Sequence, residues 1–155
     1  FGGSGSGIAP TTLTPVTLFG GGKYTLMATG SQATPSYLVL PDTFTAPAAG
    51  SAMLRVVNDV PSAGNVDIYI GVPNAPLVTP RQTNVPVGGA AYIPVQAGTA
   101  LQVWLTTASA GTGGTPAIVA TTTTPLTFTS GQERTLFFIA TSGGSTPLYF
   151  TVPSC

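Results

Sequence analysis

Chemistry needs titratable or nucleophilic side chains close together, and this chain offers few. Its acids are Asp42, Asp59, Asp67 and Glu133, and it has no histidine. Serine and cysteine triads therefore lose their usual base, and histidine-containing zinc sites are ruled out. Asp59 and Asp67 are the one pair of carboxylates close in sequence. A glycosidase would need two such groups flanking a cleft, but both residues fall at or beside a turn. Asp59 is expected to bond local backbone, and Asp67 to face Arg55 across a hairpin as a structural ion pair. A calcium site built on Asn58, Asp59 and Asp67 falls short of the about six to eight oxygens that ion takes. With general acid and base residues missing, the expectation is a protein that is not an enzyme, with no catalytic residue, cofactor or metal. Cys155 is the sole cysteine, so it closes no intrachain disulfide.

Two other groups could recognise a ligand. Trp104 with Tyr92 and Tyr69 would make an aromatic platform for sugars, although aromatic residues in strands more often pack across the sheet. Thr121, Thr122, Thr123 and Thr124 could carry O-linked sugar, and strand propensity explains them equally well.

The elements that would hold these residues are β-strands. In MLRVVNDVPSAGNVDIYI (Met53 to Ile70), Leu54 and Val56 alternate with Met53, Arg55 and Val57. Val66, Ile68 and Ile70 alternate with Asp67 and Tyr69. Period two is the strand signature. Between the runs lie Asn58, Asp59, Pro61, Ser62, Gly64 and Asn65, residues that end pairing by lacking a donor, accepting positive φ or bonding their own backbone. The arrangement predicts a hairpin centred near Pro61, with Arg55 opposite Asp67. Further runs are predicted at 12–19, 24–29, 37–40, 77–79, 90–95, 100–107, 117–121, 126–129, 135–140 and 148–152, each bounded by Gly or Pro. No stretch keeps a helical period. Many short strands with regular turns predict an all-β, antiparallel sandwich. Its core should include Leu54, Val56, Ile68, Ile70, Val103, Leu105, Leu136 and Phe138.

The ends of the chain resemble each other. TTLTPVTLFGGGKYTL, from Thr11 to Leu26, aligns with TTTTPLTFTSGQERTL, from Thr121 to Leu136, placing Pro15 on Pro125 and Gly21 on Gly131. A two-residue insertion near Phe137 and Phe138 would then bring Thr34 and Pro35 onto Thr146 and Pro147. Two residues leave the facing of a strand unchanged. The expected organisation is a Gly/Ser-rich segment at 1–10, a partial repeat of closing strands at 11–41, a connection at 42–51 and a complete sandwich module at 52–155.

Charged residues make up 5% of the chain with net charge zero, against about 25% in ordinary soluble proteins. No basic surface exists to hold phosphates, so nucleic acid is not an expected partner. A surface without self-repulsion favours association. No apolar run reaches the roughly 20 residues that span a bilayer. A chain starting at Phe1 is expected to be a processed export product.

Arg55-Val56-Val57-Asn58, Pro61 and Val66-Asp67-Ile68-Tyr69 together resemble the hallmark of the Domain of Unknown Function 4397 family of extracellular modules in bacterial surface proteins. Tyr24 to Gly30, and Gly131 with Thr135-Leu136, are similar to that family's closing strands. The resemblance implies an immunoglobulin-like β-sandwich and an exported protein, and implies no activity.

A partial sandwich leaves an unburied face and an unpaired edge. The functional expectation is therefore an extracellular structural subunit whose partners are copies of itself, joined by strand addition into a fibre or surface layer. Phe1, Ile8, Leu13, Val16 and Leu18 are the candidate subunit contacts. The alternative is a monomeric adhesion or glycan-binding module at the cell surface.

Overall fold

In a computed structural model the described residues are 16–30, 35–43, 45–108, 116–141 and 144–153. They carry ten strands and one short 3-10 turn, Pro61–Ala63. The chain divides into two compact units, 1–43 and 44–155.

The larger unit holds two sheets. One contains β3 (Ser51–Asp59), β6 (Ala90–Gln96), β9 (Glu133–Thr141) and β10 (Gly144–Pro153), in the order β10-β9-β3-β6. The other contains β4 (Val66–Gly71), β5 (Gln82–Val85), β7 (Gln102–Thr107) and β8 (Ile118–Thr121), in the order β5-β4-β7-β8. Alternate residues of the two sheets meet in one core. Leu54, Val56, Ile93, Leu136 and Phe138 come from the first sheet, and Val66, Ile68, Val103 and Leu105 from the second. Every residue named above as core belongs to it, with Ile70 only partly buried at its margin. The fold is thus an all-β sandwich. It departs from a wholly antiparallel one where β3 runs parallel to β9, with Val56 beside Leu136.

β3 and β4 are both strands, but they do not form the expected hairpin. They belong to different sheets, and the connection through Pro61–Ala63 crosses from one to the other. Alternation reports which face a side chain takes, not which strand lies next to it. That is why the core residues were legible while the pairing was not. Arg55 has Tyr92 and Thr135 as its cross-strand neighbours, and Asp67 has Thr106. The structural pair of Arg55 and Asp67 is therefore corrected: they are not cross-strand partners.

Four other readings change. Leu77 to Thr79 is not a strand, since Pro76 and Pro80 deny it ladder donors. β5 was missed because only Val85 of its four residues is buried. The run at 126–129 contributes a single bridge, Leu126 to Leu101. Within 12–19, residues 12–15 lie outside the described residues and 16–19 form no strand.

The smaller unit is one antiparallel hairpin, β1 (Tyr24–Gly30) with β2 (Pro35–Pro41). It copies β9 with β10 pair for pair. Tyr24 faces Pro41 and Leu26 faces Val39; Arg134 faces Pro153 and Leu136 faces Thr151. The turns before β1 and β9 match as well. Gly22 N–H donates to Phe19 O at 3.1 Å, Gln132 N–H donates to Thr129 O at 3.1 Å, and Gly21 and Gly131 share φ 79°. Only glycine adopts that φ without strain. The shared register runs unbroken to Thr29 and Ile139, which face Ser36 and Leu148. The extra residues of the second hairpin therefore sit at its tip, where the ladder shifts between Gly144 and Leu148, and not near Phe137 and Phe138 as the alignment placed them.

Candidate functional site

The connection between β3 and β4 needs its backbone groups satisfied as it leaves both sheets. Asn58, fully buried, supplies that. Its Nδ2 donates to Gly64 O at 2.9 Å and Val85 O at 3.2 Å, while its Oδ1 accepts from Val60 N–H at 3.2 Å. Its own backbone exchanges bonds with the turn before β6, accepting from Gly88 N–H at 2.7 Å and donating to Gly89 O at 3.0 Å. Asn58 is a clamp on the crossing. The Asn of the hallmark is structural.

Asp67 takes a similar part on the second sheet. Its Oδ1 accepts from Asn84 N–H at 2.8 Å, and Asn84 Oδ1 accepts from Asn65 Nδ2 at 2.8 Å. The three residues weighed for calcium thus diverge: Asn58 and Asp67 are turned to backbone amides, and Asp59 ends β3. Burial raises the Asp59 carboxyl above its ordinary pKa of 3.8, because desolvation disfavours the charged form.

Arg55 is 1% exposed. Its Nε donates to Thr135 Oγ1 at 2.9 Å and its Nη1 to Tyr92 Oη at 3.4 Å. The guanidinium carbon lies 5.8 Å from the Tyr92 ring centre. Arg55 therefore ties together β6, β3 and β9, three neighbouring strands. That use of the fork geometry is cohesive rather than catalytic.

The three aromatic residues part company. Tyr69 and Trp104 are cross-strand neighbours on the second sheet, each 6% exposed, while Tyr92 is half-exposed on the first. The segment between β4 and β5 folds over that aromatic pair. Arg81 N–H donates to Ile68 O at 2.7 Å and brings the chain back to β4. Beneath it lies a recess of about 490 Å³ lined by Tyr69, Trp104, Leu77, Pro80 and Arg81 among others. Arg81 is the single charge among its lining residues. Sequence reasoning missed this segment as a wall, since its prolines were read only as strand ends.

The threonine run is divided. Thr122 is buried, with Oγ1 accepting from Val103 N–H at 3.1 Å. Thr121 Oγ1 donates to Val103 O at 3.1 Å and accepts from Gln102 Nε2 at 3.0 Å. Thr123 and Thr124 are exposed.

Of the candidate subunit contacts, Phe1, Ile8 and Leu13 lie outside the described residues. Val16 is 41% exposed and Leu18 57%, and beside them Phe19 is 76% exposed. Leu26 on β1 is 68% exposed. Among the described residues no group of three or more acids and cysteines gathers as metal ligands, and no helix is long and apolar enough to cross a membrane.

Compared with known families, residues 4–69 match the one described as Domain of unknown function (DUF4397). The match takes in the first hairpin, the connection and the whole stretch from Arg55 to Tyr69. No curated protein matches the chain.

Proposed function

We propose, for a chain whose residues 4–69 belong to the DUF4397 family, the role of a non-enzymatic, exported structural subunit that assembles with copies of itself by strand addition. The observation that carries this reading is the smaller unit. It repeats the closing hairpin of the sandwich, yet among the described residues no third strand pairs with it, whereas β3 pairs with β9 in the larger unit. Its apolar residues Val16, Leu18, Phe19 and Leu26 are exposed. Exposed apolar surface of this kind marks an interaction site, and a chain with net charge zero offers little repulsion to oppose contact. A head-to-tail contact between different patches makes a filament when its rotation does not close a ring. The immunoglobulin-like character and the extracellular location belong to the same proposal.

The test is assembly itself. Purified chain should form concentration-dependent oligomers or fibres by light scattering and negative-stain microscopy. A double substitution, Val16→Asp with Leu18→Asp, should leave folded monomers. Wild-type chain that stays monomeric at millimolar concentration would reject the reading.

A second reading, a glycan-binding module, is favoured by the recess over Tyr69 and Trp104, a floor of two aromatic rings beside one cation. Both rings are largely covered, so a sugar would meet the recess walls as much as its floor. A glycan array probed with wild-type chain and with Trp104→Ala tests it.

A further inference from the structure

In the larger unit the flank of β9 away from β10 is filled by β3, running parallel. Val56, Val57, Asn58 and Asp59 lie beside Leu136, Phe137, Phe138 and Ile139. The shared hairpin register equates those four β9 positions with Leu26, Met27, Ala28 and Thr29 of β1. On β1, the only strand alongside among the described residues is β2. Leu136 and Phe138 are fully buried, whereas Leu26 is 68% exposed and Ala28 is exposed too. One sequence pattern and one register thus occur twice, once with a third strand alongside and once, among the described residues, without one.

We infer that the flank of β1 away from β2 is a docking edge for a parallel strand of the β3 type, contributed by another DUF4397 module. The occupant is specified by what fills the equivalent place. It is an extended segment with apolar residues at alternate positions, as in SAMLRVVND, entering so that its Val56 and Val57 equivalents lie beside Leu26 and Met27. Main-chain bonds would supply adhesion and the alternate side chains would set the register. The chain's own N-terminal sequence is not of the β3 type. In the repeat, residues 11–19 correspond to 121–129, which include the end of β8 and the Leu126 bridge on the opposite sheet. The inference shares the idea of strand addition with the assembly reading but names a different element, the acceptor, and the two fail separately.

The experiment titrates a synthetic peptide of residues 51–59, SAMLRVVND, into monomeric full-length chain. Binding should saturate at one peptide per chain. At a peptide concentration about ten times its Kd, exchange of the β1 amides that point away from β2 should slow by about tenfold. A spin label on the peptide's N-terminus should broaden signals near Tyr24 rather than near Gly30, which reports parallel docking. Leu26→Asp should abolish these effects while leaving the spectrum of the larger unit unchanged. Absence of binding, antiparallel docking, or equal binding by the reversed peptide DNVVRLMAS would overturn the inference. Assembly of the chain without peptide is measured apart, so loss of the polymer reading leaves this result standing.

Discussion

The two hairpins of this protein differ in surroundings rather than in local structure. β1–β2 and β9–β10 share a turn, a glycine at the same φ and the same cross-strand register. Leu136 is nonetheless fully buried and its counterpart Leu26 is 68% exposed. The local sequence therefore specifies a hairpin and its faces, while burial depends on which strands come to lie beside and above it.

The substitution that most directly tests this contrast is Leu to Ala at the matched positions. Leu136→Ala should destabilise the larger unit by about 2 to 5 kcal/mol, read from urea unfolding. Leu26→Ala should change stability by no more than about 0.5 kcal/mol. A similar cost at both positions would show that Leu26 is packed after all and would break the comparison.

Next in size is Arg55, which joins β3 to both its neighbours; among the described residues β1 has no strand of the β3 kind beside it. Arg55→Met removes two described hydrogen bonds and leaves Thr135 buried. The expected loss is about 2 to 3 kcal/mol, with the larger unit's unfolding midpoint falling and the hairpin signals of β1–β2 unmoved. Asn58→Ala should cost about 1 to 3 kcal/mol for the same reason, because Val60 N–H and two carbonyls lose their buried partner.

A sharper form of the comparison uses the turns. Gly21→Ala and Gly131→Ala each force an L-residue to φ 79°, with no steric obstacle around either added Cβ. Each should cost about 1 kcal/mol, the same at both sites, since the turn is local. Hydrogen exchange at the two hairpins would check this equality.

The smallest effect concerns pH. Asp59 ends β3, and burial raises its carboxyl pKa in the folded chain above 3.8. The folded state then holds its proton more tightly than the unfolded state, so the penalty is present above the folded pKa. It is relieved as pH falls through that value toward 3.8. Asp59→Asn should flatten the dependence in that window, seen as a smaller change in unfolding midpoint across the acid range.

The legible parts of the fold are those set by period and turn chemistry. Alternation in MLRVV and VDIYI placed Val56 and Ile68 in the core, and the Gly-rich turns marked the ends of most strands. Pairing was not legible, because the alternation around Arg55 and Asp67 is the same whether the two strands pair in a hairpin or lie in two facing sheets. The deciding group was the Asn58 side chain, whose bonds to Val60, Gly64 and Val85 cannot be read from residue type alone. β5 gave no apolar signal, being an edge strand with one buried residue. For the aromatic group, sequence placed Tyr69 near Trp104 in function but could not separate Tyr92, which lies on the other sheet.

The parallel contact of β3 with β9 also sets the order of events as the chain emerges. Arg55 must wait for Thr135, 80 residues later, before its guanidinium has the partner it is buried with. Closing a loop of that length costs only slightly more entropy than a shorter one, but it cannot begin until almost the whole module has left the ribosome. Until then β3 has one bare ladder edge, on the side that β9 will fill. Long-range pairing of this kind folds slowly and exposes the chain to wrong partners in the interval. A molecule whose charge is too sparse to keep neighbours apart would be most at risk then, so the speed with which β9 reaches β3 governs how much of each new chain survives as folded protein.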